Sequence, residues 1–242
     1  MVTLRVYFVS WRRLRRLAAP AAALLLVLPA LALVARDRLV APAAVSGPVF
    51  HGSSETRKMA LTFNVDWGEE YLPGLLGCLA QHGVRATFFL TGRWTEEHPE
   101  LAREIAAAGH EIGTHGYSHV HPDRLTRSAN LEELRRSCEA IRRITGCEPR
   151  LFAPPYGECG PAVLEAASLY GVRVIMWSVD SLDWQRPDPG ALADRVVRRA
   201  HNGAIVLLHP TAPTVEALPV ILRELRAQGY EPGTVGGLLA EE

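Results

Sequence analysis

Met59-Ala60-Leu61-Thr62-Phe63-Asn64-Val65 is an almost unbroken apolar run, and Asp66-Trp67-Gly68 halts it on a carboxylate, an indole and a glycine. A short, β-favouring run bounded in this way reads as a strand buried on both faces. Similar segments follow at Arg85–Leu90, Glu111–His115, Leu151–Ala153, Val172–Val179 and Ala204–Leu208. Helical patterns lie between them. The clearest sets Leu131, Leu134, Cys138 and Ile141 on one face, with Asn130 and Glu133 spaced as a capping box and Gly146 as the stop. Buried strands alternating with helices imply an α/β fold with a parallel sheet inside and helices outside. The chain from Lys58 onward is slightly short for eight full strand–helix units, so the expectation is a deformed (β/α) barrel of six to eight strands.

The polar residues fall in a pattern. Asp66 follows the first strand, His115 ends the third, Pro154-Pro155-Tyr156-Gly157 follows the fourth, Asp180 and Asp183 follow the fifth, and His209 ends the sixth. Groups capable of chemistry thus gather at the C-terminal ends of several strands, the face where barrel enzymes build their sites. His115 and His119 have i, i+4 spacing, which on a helical turn aims both imidazoles the same way. Together with Asp66 they would give two histidines and a carboxylate around an open coordination position, the arrangement of a catalytic zinc site. The other reading of such a pair is a surface or capping role. His209 either hydrogen-bonds within the core or acts as a general acid, oriented by Asp180 at an equivalent strand end. Trp177 and Trp184 are core aromatics or the walls of a sugar site. His110 and His121 are off the spacing and read as structural or exposed.

The formal charge of the whole chain is zero, yet residues 1–40 carry seven arginines and one acid, leaving a net −6 on the remainder. This balance lends no support to a nucleic-acid partner. Arg5, Arg12, Arg13, Arg15 and Arg16 precede the uncharged stretch Leu17–Ala35, which reads as a signal or uncleaved membrane anchor over residues 1–35. The expected location is therefore a single-pass anchor with an extracytoplasmic domain, or a secreted chain if the signal is cleaved. Residues 36–57 read as a linker and residues 58–242 as the catalytic-type domain. Cys78, Cys138, Cys147 and Cys159 show no metal-ribbon spacing; sequence does not pair them, and Cys138 sits on the apolar helix stripe.

The stretches Ala60–Gly68, Thr114–His119, Ala153–Gly157, Trp177–Trp184 and Leu207–His209 resemble, in order, the five motifs of the polysaccharide deacetylases, the NodB-homology proteins of carbohydrate esterase family 4. The N-terminal segment resembles a membrane-anchored, sporulation-associated branch of that family. The resemblance implies a metal-dependent hydrolase, with a divalent metal, usually zinc, that removes N-acetyl groups from peptidoglycan or chitin-like N-acetylglucosamine glycans. It assigns Asp66, His115 and His119 as metal ligands, the Tyr156 backbone N–H as oxyanion donor, His209 as acid and Asp180 as the carboxylate tuning it. Pro155, Trp184 and Leu207 fall on the substrate side, Leu207 as the wall for the acetyl methyl. Two positions depart from the pattern. Asn64 stands where the family has a base aspartate, and an amide cannot take a proton at neutral pH. Ala153 stands where the family has the arginine that holds this aspartate. Two functions follow as expectations: a working metal-dependent deacetylase in which Asp66 or the metal-bound hydroxide does without the usual base, or a catalytically weak or inactive barrel that serves as a glycan-binding or cell-wall assembly module. A barrel acting on another amide or ester is a third.

Overall fold

The computed structural model describes residues 47–240. The expected signal or anchor at 1–35 and the first part of the expected linker lie outside the described residues. Among the described residues, no helix is long and apolar enough to cross a membrane.

One curled sheet holds β1 (Lys58–Val65), β2 (Thr87–Leu90), β3 (Glu111–Thr114), β4 (Leu151–Phe152), β5 (Arg173–Val174), β6 (Val179–Asp180), β7 (Ile205–Leu208) and β8 (Glu231–Gly233). Its order is β5-β4-β3-β2-β1-β7-β6, with β8 also pairing with β1. All of these pairings are parallel. The helices are α1 (Leu72–Gln81), α2 (Gly92–Glu97), α3 (Pro99–Ala107), α4 (Arg127–Thr145), α5 (Pro161–Tyr170), α6 (Pro189–Arg199), α7 (Ala212–Ala227) and α8 (Val235–Leu239). This is the deformed (β/α) barrel expected from the strand rhythm.

The pleat of β1 sorts its side chains. Met59, Leu61, Phe63 and Val65 join the helix-facing core with Leu75, Leu79, Ile105, Leu218 and Leu222. Ala60 faces the interior with Phe89, Leu151, Ala153, Ile175 and Ile205. By alternation Thr62 and Asn64 share that interior face, where the Thr62 hydroxyl donates to Val206 O at 2.8 Å. Space inside is tight: a Cβ at Gly113 would lie 2.4 Å from the Phe89 ring.

Three expectations change. The run Val172–Val179 is not one strand but β5 and β6, because Met176 N–H donates to Val49 O (2.7 Å) while Ser178 N–H crosses to Ile205 O (3.1 Å). Val49 bridges Ile175 and His51 bridges Ala204, so residues just ahead of β1 run between β5 and the start of β7. β8 carries no strand signal, since its Glu231-Pro232-Gly233 is poor in β-formers. Helix α4 begins at Thr126, whose Oγ1 accepts from Ala129 N–H, and not at a box built on Asn130. Asn130 lies inside the helix and donates to Pro122 O. The stop at Gly146 stands, with φ 75°. All four cysteines are free thiols, and burial pushes the Cys138 thiol up to about 11.

His110 is buried after α3, and its Nδ1 accepts the Ala86 N–H at 3.2 Å. Burial, followed by the charge of Arg85, holds its pKa below the ordinary value. The unfolded chain takes up a proton near pH 6.5 that the folded imidazole refuses, so stability falls as pH drops through that value. Between pH 7.5 and 5.5, urea unfolding should show a loss of up to about 1.4 kcal/mol per pH unit from this residue. His110→Gln should remove that component of the slope; identical slopes in both proteins would refute the assignment.

Candidate active site

A cavity of about 470 Å³ opens at the C-terminal ends of the strands. Asn64, His115, His119, Tyr156, Asp180, Trp184, Leu207 and His209 line it, together with Trp67, Gly157 and Trp177. Of the expected site residues, Pro155 is buried and packs near Gly116 instead of lining the cavity. A shallower groove of about 500 Å³ lies at the other end of the strands, lined in part by Lys58, Arg85, Glu111 and Glu231. Glu111 there accepts from Thr87 Oγ1 and from Gly236 N–H at the start of α8, a structural task.

His115 and His119 meet at the cavity with ring centroids 4.9 Å apart, edge to face. A helical turn does not bring them together, as their spacing suggested. A loop does, with Gly116 at φ 77° and His119 at φ 52°. Glu133 on α4 pins that loop, accepting from Tyr117 N–H (3.1 Å), Ser118 N–H (2.9 Å) and Ser118 Oγ (2.9 Å). This replaces its expected place in a capping box. His115 Nδ1 donates to Ala153 O at 2.6 Å, leaving Nε2 as its lone-pair nitrogen. Burial, then the neighbouring His119, pulls the His115 pKa down to about 3. Burial also lowers that of His119, against the opposing charge of Asp66. Both rings are neutral at physiological pH.

Asp66 does not complete a ligand set with them. Thr91 Oγ1 donates to its Oδ1 at 2.8 Å, and Arg93 Nη2 reaches both carboxylate oxygens at 3.2 Å. Asp66 is the first residue beyond β1, where the pleat no longer directs it, and Thr91 in the β2–α2 connection and Arg93 in the first turn of α2 capture it. Among the described residues, no group of three or more His, Cys, Asp or Glu side chains is placed to hold a metal ion. Two neutral imidazoles suit a divalent cation, but this arrangement does not fit the three-ligand site expected from the sequence.

His209 is partnered, but by a different carboxylate from the one expected. His209 Nδ1 pairs with Asp183 Oδ1 at 2.8 Å, and Asp183 Oδ2 accepts from His209 N–H (2.5 Å) and Thr214 Oγ1 (2.7 Å). Asp180 does not orient His209. Its Oδ1 accepts from Leu182 N–H at 2.9 Å, capping the turn that carries Asp183, fully buried, beneath the end of β7. Arg195 holds the Asp180 carbonyl at 2.7 Å. Trp67 lies parallel to the His209 ring, 6.1 Å away between centroids and tilted by 4°. The loop carrying it docks closely: a Cβ on Gly68, at φ 84°, would lie 2.2 Å from Pro210 O. Opposite, Tyr156 takes a left-handed backbone (φ 58°), and His121 stacks on its ring at 3.9 Å. His121 Nδ1 is itself paired with Glu158 Oε1 at 2.8 Å.

Arg93 and Thr91 carry no signal in the sequence, whereas Trp67 stands out only as the indole closing the first apolar run, Glu133 only as a capping-box position and Asp183 only as a strand-end acid. Glu133 was visible as a carboxylate on a helix, but nothing local tied it to a loop 15 residues earlier.

Two outcomes follow. Asp183→Ala strands the Thr214 hydroxyl and two His209 donors, and should destabilise the fold by about 3 kcal/mol in chemical denaturation, against about 1 kcal/mol for Asp180→Ala. Equal losses would reverse the assignment of roles. Arg93→Ala frees Asp66 and should raise zinc affinity up to about fivefold by calorimetric titration of the full-length chain, the scale of a half-exposed ion pair. Unchanged affinity would mean that Asp66 is not the missing ligand.

Residues 51–175 match the family model of polysaccharide deacetylases. The chain is 41% identical over 194 residues to YlxY of Bacillus subtilis, covering 80% of this chain and 61% of that protein. It is 32% identical to a peptidoglycan-N-acetylglucosamine deacetylase of Bacillus cereus, over 74% of this chain and 67% of that one. Among solved structures, BA3943 of Bacillus anthracis, described as a family 4 carbohydrate esterase pseudoenzyme, superposes with TM-score 0.78 at 40% identity, covering 82% of this chain and 69% of that chain. A mutant of BA3943 is described as having restored enzymatic activity. Proteins of this family are generally metal-dependent hydrolases of N-acetyl groups. With its five motifs arrayed around one cavity on a curled parallel sheet, the chain belongs to the polysaccharide deacetylase family.

Proposed function

We propose that this protein binds acetylated cell-wall glycan in the cavity at the strand ends, with the hydrolytic step disabled. One observation carries the reading. An amide, Asn64, occupies the cavity face of β1 where the family resemblance implies a base, and the next carboxylate, Asp66, is turned onto Arg93. An amide has no basic lone pair to take a proton from water. Loss of general base assistance alone removes about 10²–10⁴ in rate. Ala153 fits the same picture, since an arginine on that interior face would be a buried cation without its aspartate.

What remains suits recognition. Trp67, Tyr156 and Trp184 are exposed aromatics around the cavity, and Leu207 supplies an apolar wall. Aromatic faces and a few placed polar groups are what a sugar ring needs. Peptidoglycan is the glycan of choice, because the Bacillus cereus relative is named for peptidoglycan N-acetylglucosamine. An N-terminal anchor at 1–35 would hold the domain outside the membrane, beside that polymer. A divalent metal, zinc by its histidine donors, belongs to this proposal only once Asp66 has left Arg93.

The alternative, a working deacetylase, is favoured by the neutral histidine pair and the His209–Asp183 pair. One assay decides. The full-length chain in detergent, with zinc added, should bind N-acetylglucosamine oligomers while releasing acetate at least about 10²-fold more slowly than a deacetylating relative assayed beside it. Acetate release at a comparable rate would restore the enzyme reading.

A further inference from the structure

His121 does not line the cavity, yet it packs against a residue that does. Its ring lies over that of Tyr156 with centroids 3.9 Å apart and planes tilted by 11°. Tyr156 in turn meets His119 edge to face at 4.9 Å, and His119 meets His115 in the same way. Four rings thus run in one row from the buried His115 outward to His121.

Tyr156 needs a brace. It is a non-glycine residue with φ 58°, a left-handed backbone that a side chain adopts only at a cost. With 55% of its surface exposed, its hydroxyl reaches His119 O only at 3.4 Å. A ligand that stacked on an unbraced tyrosine would have to freeze its motion.

His121 can supply the brace because it is fixed twice over. Its Nδ1 donates to Glu158 Oε1 at 2.8 Å, and Glu158 Oε2 accepts the Asp123 N–H at 3.2 Å. Its backbone leads into the turn Pro122–Arg124, where His121 O accepts from Arg124 N–H (3.1 Å) and Asn130 of α4 donates to Pro122 O (3.0 Å). The loop after β3 and the loop after β4 are joined at this point, one giving the histidine and the other both Tyr156 and Glu158. An offset aromatic pair of this kind is held by more than its buried area.

We propose that His121, braced by Glu158, is a positioning residue that holds the Tyr156 ring as a fixed platform on which a sugar ring of the glycan stacks. This rests on the glycan-binding reading above, and it adds the residue that keeps the cavity rim ordered before the ligand arrives.

The test uses the full-length chain in detergent with EDTA present, titrated calorimetrically with the tetramer of N-acetylglucosamine. His121→Ala should weaken binding about fivefold, the cost of ordering one side chain, and His121→Phe, which keeps the stack without the Glu158 pair, should recover most of it. Glu158→Gln should give a smaller loss in the same direction. In a Tyr156→Ala background, His121→Ala should weaken binding no further, because a brace matters only while there is a ring to hold. A cooperative thermal transition in each variant shows that it is folded; should His121→Ala not fold, Glu158→Gln in the two backgrounds decides in its place. A merely structural role would lower thermal stability and leave affinity alone, or lower affinity equally with and without Tyr156. Either result, or no recovery by His121→Phe, overturns the role of His121 while the glycan-binding reading stands. No binding of the tetramer by the wild type removes that reading, and this inference with it.

Discussion

The mouth of this barrel hangs from one strand. β1 takes backbone hydrogen bonds from β2, β7 and β8 and packs apolar side chains against the helices on its outer face. Paired on both edges and buried on both faces, it has no freedom to slip register or rotate, because a shift of one residue would carry Phe63 and Val65 inside and Asn64 into the helix layer. The side chain of residue 64 is therefore delivered to the cavity whatever its chemistry. That rigidity suits a base that must meet water at one angle, and it holds equally when the residue is an amide. One residue past the pleat the constraint ends. Asp66 goes to the nearest donors, Thr91 and Arg93, rather than to the histidines.

The architecture was legible because buried parallel strands leave a plain trace: long apolar runs, each ending on a polar residue. The strand-end rule gathered His115, Tyr156, Asp180 and His209, all of which line one cavity, while His119 came from its spacing to His115 and Leu207 from the family resemblance. Partnerships were not legible, and the reason is geometric. Asp180 and Asp183 are three residues apart at the same strand end, and choosing between them depends on a left-handed turn at Leu182 that no local signal announces. The Glu133–Ser118 and Arg93–Asp66 contacts likewise span separate elements, and pairs of that kind follow from packing, which no periodicity encodes. β8 and the split between β5 and β6 were missed for a related reason: their hydrogen bonds come from neighbours distant in sequence, not from strand-forming composition.

The two departures from the family pattern read as one physical event. Ala153 sits in the interior cluster with Ala60, Ile175 and Ile205, and its carbonyl still receives His115 Nδ1. The backbone service at this position survives the loss of the side chain. The histidine is thus oriented by backbone alone and does not depend on which side chains stand at positions 64 and 153.

The bridges at Val49 and His51 have a mechanical meaning. They lay the chain entering the barrel along β5 and the start of β7, so tension applied from the N-terminal side loads a few backbone hydrogen bonds lengthwise before it reaches β1. Bonds loaded in shear share the force, whereas bonds peeled from one end fail singly. Such a load is thereby buffered: the strap takes the strain, and the strand that aims Asn64 stays where it is.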